Sequence, residues 1–222
     1  MQMPTAWYRP CAVRWRRDAQ RVDGVGKRLM DLMFAVGGLV LFSPLMLALA
    51  LAIKLDSAGP VFFRQERVGR HGRVFRIHKF RTMVERAEAQ GRQITVGADA
   101  RITRVGRWIR DRRLDEIPQL IDVLKGDMSI VGPRPEVPRY VAMYAPEVRK
   151  QVLSVRPGIT DPGALAYRHE AELLAKAEDP EREYVEVIMP RKLEQAMAYA
   201  KRASVWTDLV LIGRTLRVLA TG

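Results

Sequence analysis

LVLFSPLMLALALAIKL, residues Leu39 to Leu55, decides how this chain is read. It is apolar enough for a membrane, yet Ser43-Pro44 stands in its middle. Pro44 has no amide hydrogen to give the carbonyl of Val40 and crowds it, so the helix is expected to kink there. Ser43 can return its hydroxyl to a freed carbonyl, which is how such breaks are tolerated in lipid. Gly37-Gly38 weakens the helix just before the break and permits close packing. No charged residue occurs from Leu32 to Ile53. That run would measure about 33 Å as a straight helix, enough to cross a bilayer core. Lys27 and Arg28 precede it; Lys54, Arg64 and Arg67 follow it. A spanning helix normally carries its Lys/Arg excess on one side. Basic residues on both flanks suit a helix that enters, bends and leaves on the same face. From the residues alone, re-entry and a kinked span are equally compatible.

Working outward, residues 1–22 form a basic tail with Trp7, Tyr8 and Trp15 interleaved. That mixture suits a lipid headgroup region or an unpacked terminus. The tail is no secretory signal, because the apolar stretch begins late, runs long and lacks a small-x-small cleavage site. The organisation read from the sequence is a tail at 1–22, a membrane helix at 23–55 and a catalytic domain at 56–222. The whole chain has 222 residues, with 38 Lys+Arg against 25 Asp+Glu and a formal charge of +13. Such an excess calls for an anionic partner: nucleic acid, an anionic membrane face or a phosphorylated substrate. The single Cys11 excludes an intrachain disulfide. His71, His78 and His169 show no metal-ligand spacing.

After Asp56 the pattern changes. Val61-Phe62-Phe63 and Val74-Phe75-Arg76-Ile77 are strand-like around a Gly69-Arg70-His71-Gly72 turn. Helices are expected at Met83–Gln90, Thr103–Arg113, Pro118–Leu124, Pro138–Val155, Glu170–Ala177 and Val185–Lys201, with a polar loop at Gly91–Asp99. RPGITDPG reads as a tight loop. Val205–Leu219 has an apolar face opposite Arg214 and Arg217, suited to a membrane surface or to the core. The fold class is α+β: mostly helical, a few short strands, an N-terminal Ser-Pro-broken membrane helix and interfacial amphipathic helices.

The densest chemistry is IRDRRLDEIPQL, Ile109 to Leu120. Pro118 suits a first helical turn, so Asp115 is expected as an N-cap with Glu116 beside it. Arg110, Arg112 and Arg113 just before them are expected to keep both carboxylates ionised. Two more clusters join: His78-Lys79-Phe80-Arg81-Thr82, and Val131-Gly132-Pro133-Arg134-Pro135, where two rigid prolines flank one Arg. An acidic pair in a field of cations suits phosphoryl transfer. No GxxxxGK[ST] loop is present, which excludes a P-loop enzyme.

Taken together, KRLMD, the Ser-Pro-broken run, GPVFFRQERVGRHGRVFRIHKFRTM, LDEIPQLIDVLKGDMSIVGPRPE and RPGIT resemble the monotopic polyprenyl-phosphate phosphoglycosyl transferases, the bacterial sugar transferase family. The resemblance runs from Lys27 to about Leu219. It implies that Ser43-Pro44 turns the helix back, leaving the enzyme on the cytoplasmic face of the inner membrane against anionic lipids. It implies transfer of a sugar-1-phosphate from a UDP-sugar to undecaprenyl (polyprenyl) phosphate, releasing UMP. Asp115 would be the nucleophile and a ligand of Mg²⁺, and Glu116 would assist the acceptor. Lys79, Arg81 and Arg110 match cations near the phosphates, and Pro133-Arg134-Pro135 the nucleotide motif. Thr160 belongs to the PGIT loop, and Arg168 follows it.

Two departures stand out. The family loop PGITG with an aromatic and a Gln reads Pro157-Gly158-Ile159-Thr160-Asp161-Pro162 here. The Asp expected in the late helix is missing from Gln195-Ala196-Met197-Ala198-Tyr199, where Glu194 is the nearest acid. The extra N-terminal spanning helices of larger relatives have no counterpart, so a catalytic-domain-only member is expected. The competing class is a non-catalytic basic protein bound to a membrane surface or nucleic acid. It explains the charge but neither the uncharged run nor the acidic pair, and no aromatic stacking motif supports nucleic acid. The sequence sets neither the sugar nor the oligomeric state.

Overall fold

A computed structural model of the chain describes residues 24–85, 87, 99–161, 163 and 170–221. The basic tail, Cys11, most of the Gly91–Asp99 loop, and Arg168 and His169 lie outside the described residues. Helix α1 runs from Val25 to Asp56, and every residue in it is helical, Pro44 included. The Ser43 hydroxyl donates to the Val40 carbonyl at 2.9 Å, the carbonyl that Pro44 leaves without its helical donor. Among the described residues α1 is the one helix long and apolar enough to cross a membrane.

Both ends of α1 are buried in the same body. Met30 and Ala35 are buried near its start, Leu49 and Ile53 near its end. Between them the outer face is bare: Val40, Leu41 and Leu47 are 70–74% exposed. The inner face packs at Gly38, where an added Cβ would lie 2.9 Å from Leu120.

Strands β1 (Phe62–Val68) and β2 (Val74–Phe80) pair antiparallel, with Phe62 opposite Phe80 and Val68 opposite Val74. His71 (φ 57°) and Gly72 (φ 81°) turn the chain between them. Met83 bridges to Ile102 rather than starting a helix. Helix α2 spans Arg104–Asp111, capped by Thr103, whose hydroxyl accepts from the Gly106 N–H. Helix α3, Gln119–Lys125, stops at Gly126 in the left-handed conformation.

Strands β3 (Ser129–Val131) and β4 (Gly158–Thr160) form a parallel pair that periodicity does not reveal. At Gly132 and Gly158 an added Cβ would sit 2.4 Å and 2.0 Å from backbone atoms, so only glycine lets these segments approach. The helix expected over Pro138–Val155 is two helices, α4 (Pro138–Val141) and α5 (Pro146–Val152). Pro146 forces the break, since it cannot donate within a helix but is tolerated at its first turn. Helices α6 (Glu170–Ala175), α7 (Pro180–Glu183), α8 (Met189–Arg202, entered through a wide turn at Tyr184–Ile188) and α9 (Val205–Thr221) complete the chain. The main apolar cluster joins Ala35 of α1, Phe75 and Ile77 of β2, Val123 of α3, Ile130 and Val131 of β3, and Tyr199 of α8. Leu211 and Ile212 of α9 pack against it, while Trp206 and Leu216 face outward.

Candidate active site

The acidic pair lies in a tight turn, Leu114–Glu116, and not at a helix cap. Two features build the turn. Arg113 adopts a left-handed conformation (φ 55°), reversing the chain after α2. Pro118 has no N–H for the Leu114 carbonyl, so the Ile117 N–H takes it at 3.3 Å and the turn tightens. Asp115 therefore does not cap α3, whose N-cap is Pro118.

Three segments meet at Glu116. The Lys79 ammonium, at the end of β2, donates to Glu116 Oε1 at 2.8 Å and lies 3.7 Å from Asp115 Oδ2. The Arg134 guanidinium donates to the same Oε1 at 2.5 Å. Arg110 on α2 acts electrostatically on Asp115. The Pro133-Arg134-Pro135 loop is pinned by its neighbours: Gly132 N–H donates to the Thr160 carbonyl at 3.0 Å, and Gly158 N–H to the Pro133 carbonyl at 2.9 Å. Thr160 thus borders the Arg134 loop through its backbone.

The two carboxyls differ. Burial would raise Glu116, but Arg134 and Lys79 together hold it well below the usual carboxylate range. Asp115 is pushed up, because burial outweighs Lys79 and the neighbouring Glu116 charge adds to the rise. The two differ because the cations near Asp115 are more distant than the two on Glu116. Burial also lowers Lys79.

Arg81, also expected near the phosphates, bonds elsewhere. The Arg81 guanidinium is turned away from the pair and donates to the Ser57 carbonyl at 2.7 Å and to the Ser57 hydroxyl at 3.0 Å. It fastens the exit of α1. Arg112 stacks over the Trp108 ring at 4.4 Å.

Sequence reasoning missed what backs the loop. Asp161 is buried; its Oδ1 accepts from Gly163 N–H at 3.0 Å, and burial raises it while Arg134 and Lys192 pull it down. A Cβ on Gly163 would touch both Asp161 Oδ2 and Gln195 Oε1. The altered loop and the late-helix position lacking an acid are therefore neighbours. Behind Pro135, Arg67 donates to its carbonyl at 3.0 Å, and the Tyr184 hydroxyl donates to Glu136 at 2.5 Å. No periodicity marks contacts between residues this far apart in the chain.

Among the described residues no three His, Cys, Asp or Glu side chains converge to cage a metal. Asp115 accepts no hydrogen bond among them and is only partly covered. One open carboxylate fits Mg²⁺, which keeps several waters and takes further ligands from substrate phosphates.

A family model described as bacterial sugar transferase matches residues 22–222. A UDP-N-acetylgalactosamine-undecaprenyl-phosphate N-acetylgalactosaminephosphotransferase of Aeromonas hydrophila is 42% identical over 198 residues, covering 88% of this chain and 44% of that protein. An undecaprenyl-phosphate glucose phosphotransferase of Komagataeibacter xylinus is 36% identical over 91% of this chain and 37% of its own. A UDP-glucose:undecaprenyl-phosphate glucose-1-phosphate transferase of Caulobacter vibrioides is 38% identical over 88% of this chain and 70% of its own. The chain spans less than half the length of the first two.

Proposed function

Because the chain belongs to the bacterial sugar transferase family, we propose that it transfers a sugar-1-phosphate from a UDP-sugar to undecaprenyl phosphate, releasing UMP. The observation that carries this reading is the asymmetric pair: Glu116 gripped by Lys79 and Arg134, Asp115 beside it accepting no hydrogen bond among the described residues. An Asp115 carboxylate oxygen attacks the sugar-bearing phosphorus, and the bond from that phosphorus to UMP breaks. The acceptor phosphate then attacks the same phosphorus and frees Asp115. Glu116 positions the acceptor, since Lys79 and Arg134 hold its carboxylate too low in basicity to take a proton. Lys79, Arg110 and Arg134 bind the phosphate oxygens as charge shifts between them. Mg²⁺ held by Asp115 and the diphosphate would neutralise phosphate charge during transfer.

The same reading places the protein on one membrane leaflet. Both ends of α1 pack on a single body while its middle is bare and apolar. A helix crossing the bilayer would carry its ends to opposite sides, so re-entry on the cytoplasmic face of the inner membrane accounts for the packing. Trp206 and Leu216 of α9, and Trp108 of α2 with Arg112 just after it, are exposed and suited to the headgroup layer.

The relatives act on different sugars, so overall similarity does not name this one. The test is UMP release by purified protein in detergent with Mg²⁺ and a panel of UDP-sugars, with and without undecaprenyl phosphate. Acceptor-dependent UMP from one sugar, lost in Asp115→Asn, is the expected result. Release undiminished in that variant, or none from any sugar, would overturn the reading.

A further inference from the structure

Among the described residues strand β3 has one strand neighbour, β4, and side chains of α1 bond to polar groups on each of its residues. Asp31 Oδ1 accepts from the Ser129 hydroxyl at 2.9 Å and from the Ile130 N–H at 3.0 Å. The Lys27 ammonium, one helical turn earlier, donates to the Val131 carbonyl at 3.1 Å and to the Tyr199 hydroxyl at 3.3 Å, and is ion-paired with Asp208 of α9. The Tyr199 hydroxyl lies 2.7 Å from Asp208 Oδ1 and 3.0 Å from the Val131 carbonyl. Lys27, Asp31, Ser129 and Asp208 are all nearly inaccessible to solvent.

Two α1 side chains thus reach all three residues of β3. The next residues are Gly132, Pro133 and Arg134. Both prolines restrict the backbone around Arg134, so a shift of β3 is passed on to it with little slack. We infer that Lys27 and Asp31 of the membrane helix are positioning residues for Arg134. The seating of α1 on the body sets where that guanidinium stands relative to Glu116 and an incoming phosphate. The kinetic arm of the test rests on the proposed transfer reaction; the exchange arm does not.

The test uses the full chain in detergent. Asp31→Ala removes the acceptor for two donors, whereas Asp31→Asn keeps an acceptor oxygen. Hydrogen–deuterium exchange is followed over residues 129–134, with the β1–β2 hairpin as internal reference. In Asp31→Ala, exchange over 129–134 rises about tenfold with the hairpin unchanged, as for local opening of one unit. The KM for the nucleotide sugar rises about tenfold with kcat within about threefold, the signature of lost binding rather than lost chemistry. Asp31→Asn restores both to within about threefold of the parent. If Asp31→Ala does not fold, Ser129→Ala, which removes one donor, carries the same expectation at about threefold. Unchanged exchange at Gly132 and Arg134, unchanged KM, or an Asn variant as impaired as the Ala variant would each overturn the inference. A parent inactive on every nucleotide sugar would sink the transfer reaction instead, and the exchange result would still decide the positioning role.

Discussion

The protein contains two ionic clusters built from similar parts, one sealed and one partly covered, and they differ in what is left over. Around Lys27, the ammonium, the Asp208 carboxylate and the Tyr199 hydroxyl satisfy one another and a backbone carbonyl, sealed from water. Around Glu116, Lys79 and Arg134 converge on a single oxygen, while neighbouring Asp115, only partly covered, accepts no hydrogen bond among the described residues. A closed cluster fixes structure. An open one keeps a carboxylate available for a ligand or a bond, at a cost in stability that the surrounding charges offset only in part.

The largest effects should separate the clusters. Asp115→Asn should lower turnover at least about 1,000-fold, as removal of a nucleophile does. It should leave the unfolding midpoint unchanged or slightly raised, because a buried charge is relieved. Lys27→Met should do the reverse. It strands Asp208 in the interior and should destabilise by about 3–5 kcal/mol, read as a lower midpoint in chemical denaturation. Equal stability loss in both variants would erase the distinction.

Glu116→Gln should fall between, reducing turnover about 100-fold, because Gln loses the charge that holds Lys79 and Arg134 in place. Its effect on stability has a definite sign. Glu116 lies below its ordinary value of 4.5, so its contribution is complete above that pH and is lost as pH falls toward its folded value. The Gln variant should flatten that acid loss. Asp115 is raised, so the acid limb of kcat/KM should lie above the ordinary aspartate value of 3.8. Lys79→Met should move the limb higher still, since Lys79 is the strongest pull in the other direction. A limb that moves down would contradict the assignment. The smallest effect belongs to Ser43→Ala, which removes one hydrogen bond worth about 1 kcal/mol and should leave turnover within about twofold.

Much of this was legible where a local rule applies. Ser43 returning its hydroxyl to Val40 and the β1–β2 hairpin follow from proline and turn chemistry acting within a few residues, whereas Thr103, expected inside the helix, caps it instead. The convergence of Lys79, Glu116 and Arg134 was visible only as three separate clusters. Arg81 shows the limit of that reading: a basic residue beside Lys79 resembles a phosphate ligand until its guanidinium is seen bonded to Ser57. The β3–β4 pair was not legible, because three-residue strands bordered by Gly and Pro carry no period. Nor was the Lys27–Asp208 pair, whose partners lie 181 residues apart. Nothing in KRLMD itself marks Lys27 and Asp31 as partners of a strand about a hundred residues away.

The central claim is that Asp115 takes the sugar phosphate. The direct measurement is intact-protein mass after incubation with the active UDP-sugar and Mg²⁺, without acceptor, followed by acid quench and peptide mapping. The account expects an added mass of one sugar phosphate on the peptide carrying Asp115, absent in Asp115→Asn and discharged by undecaprenyl phosphate. Acceptor-dependent turnover with no adduct, or an adduct on another residue, would contradict it.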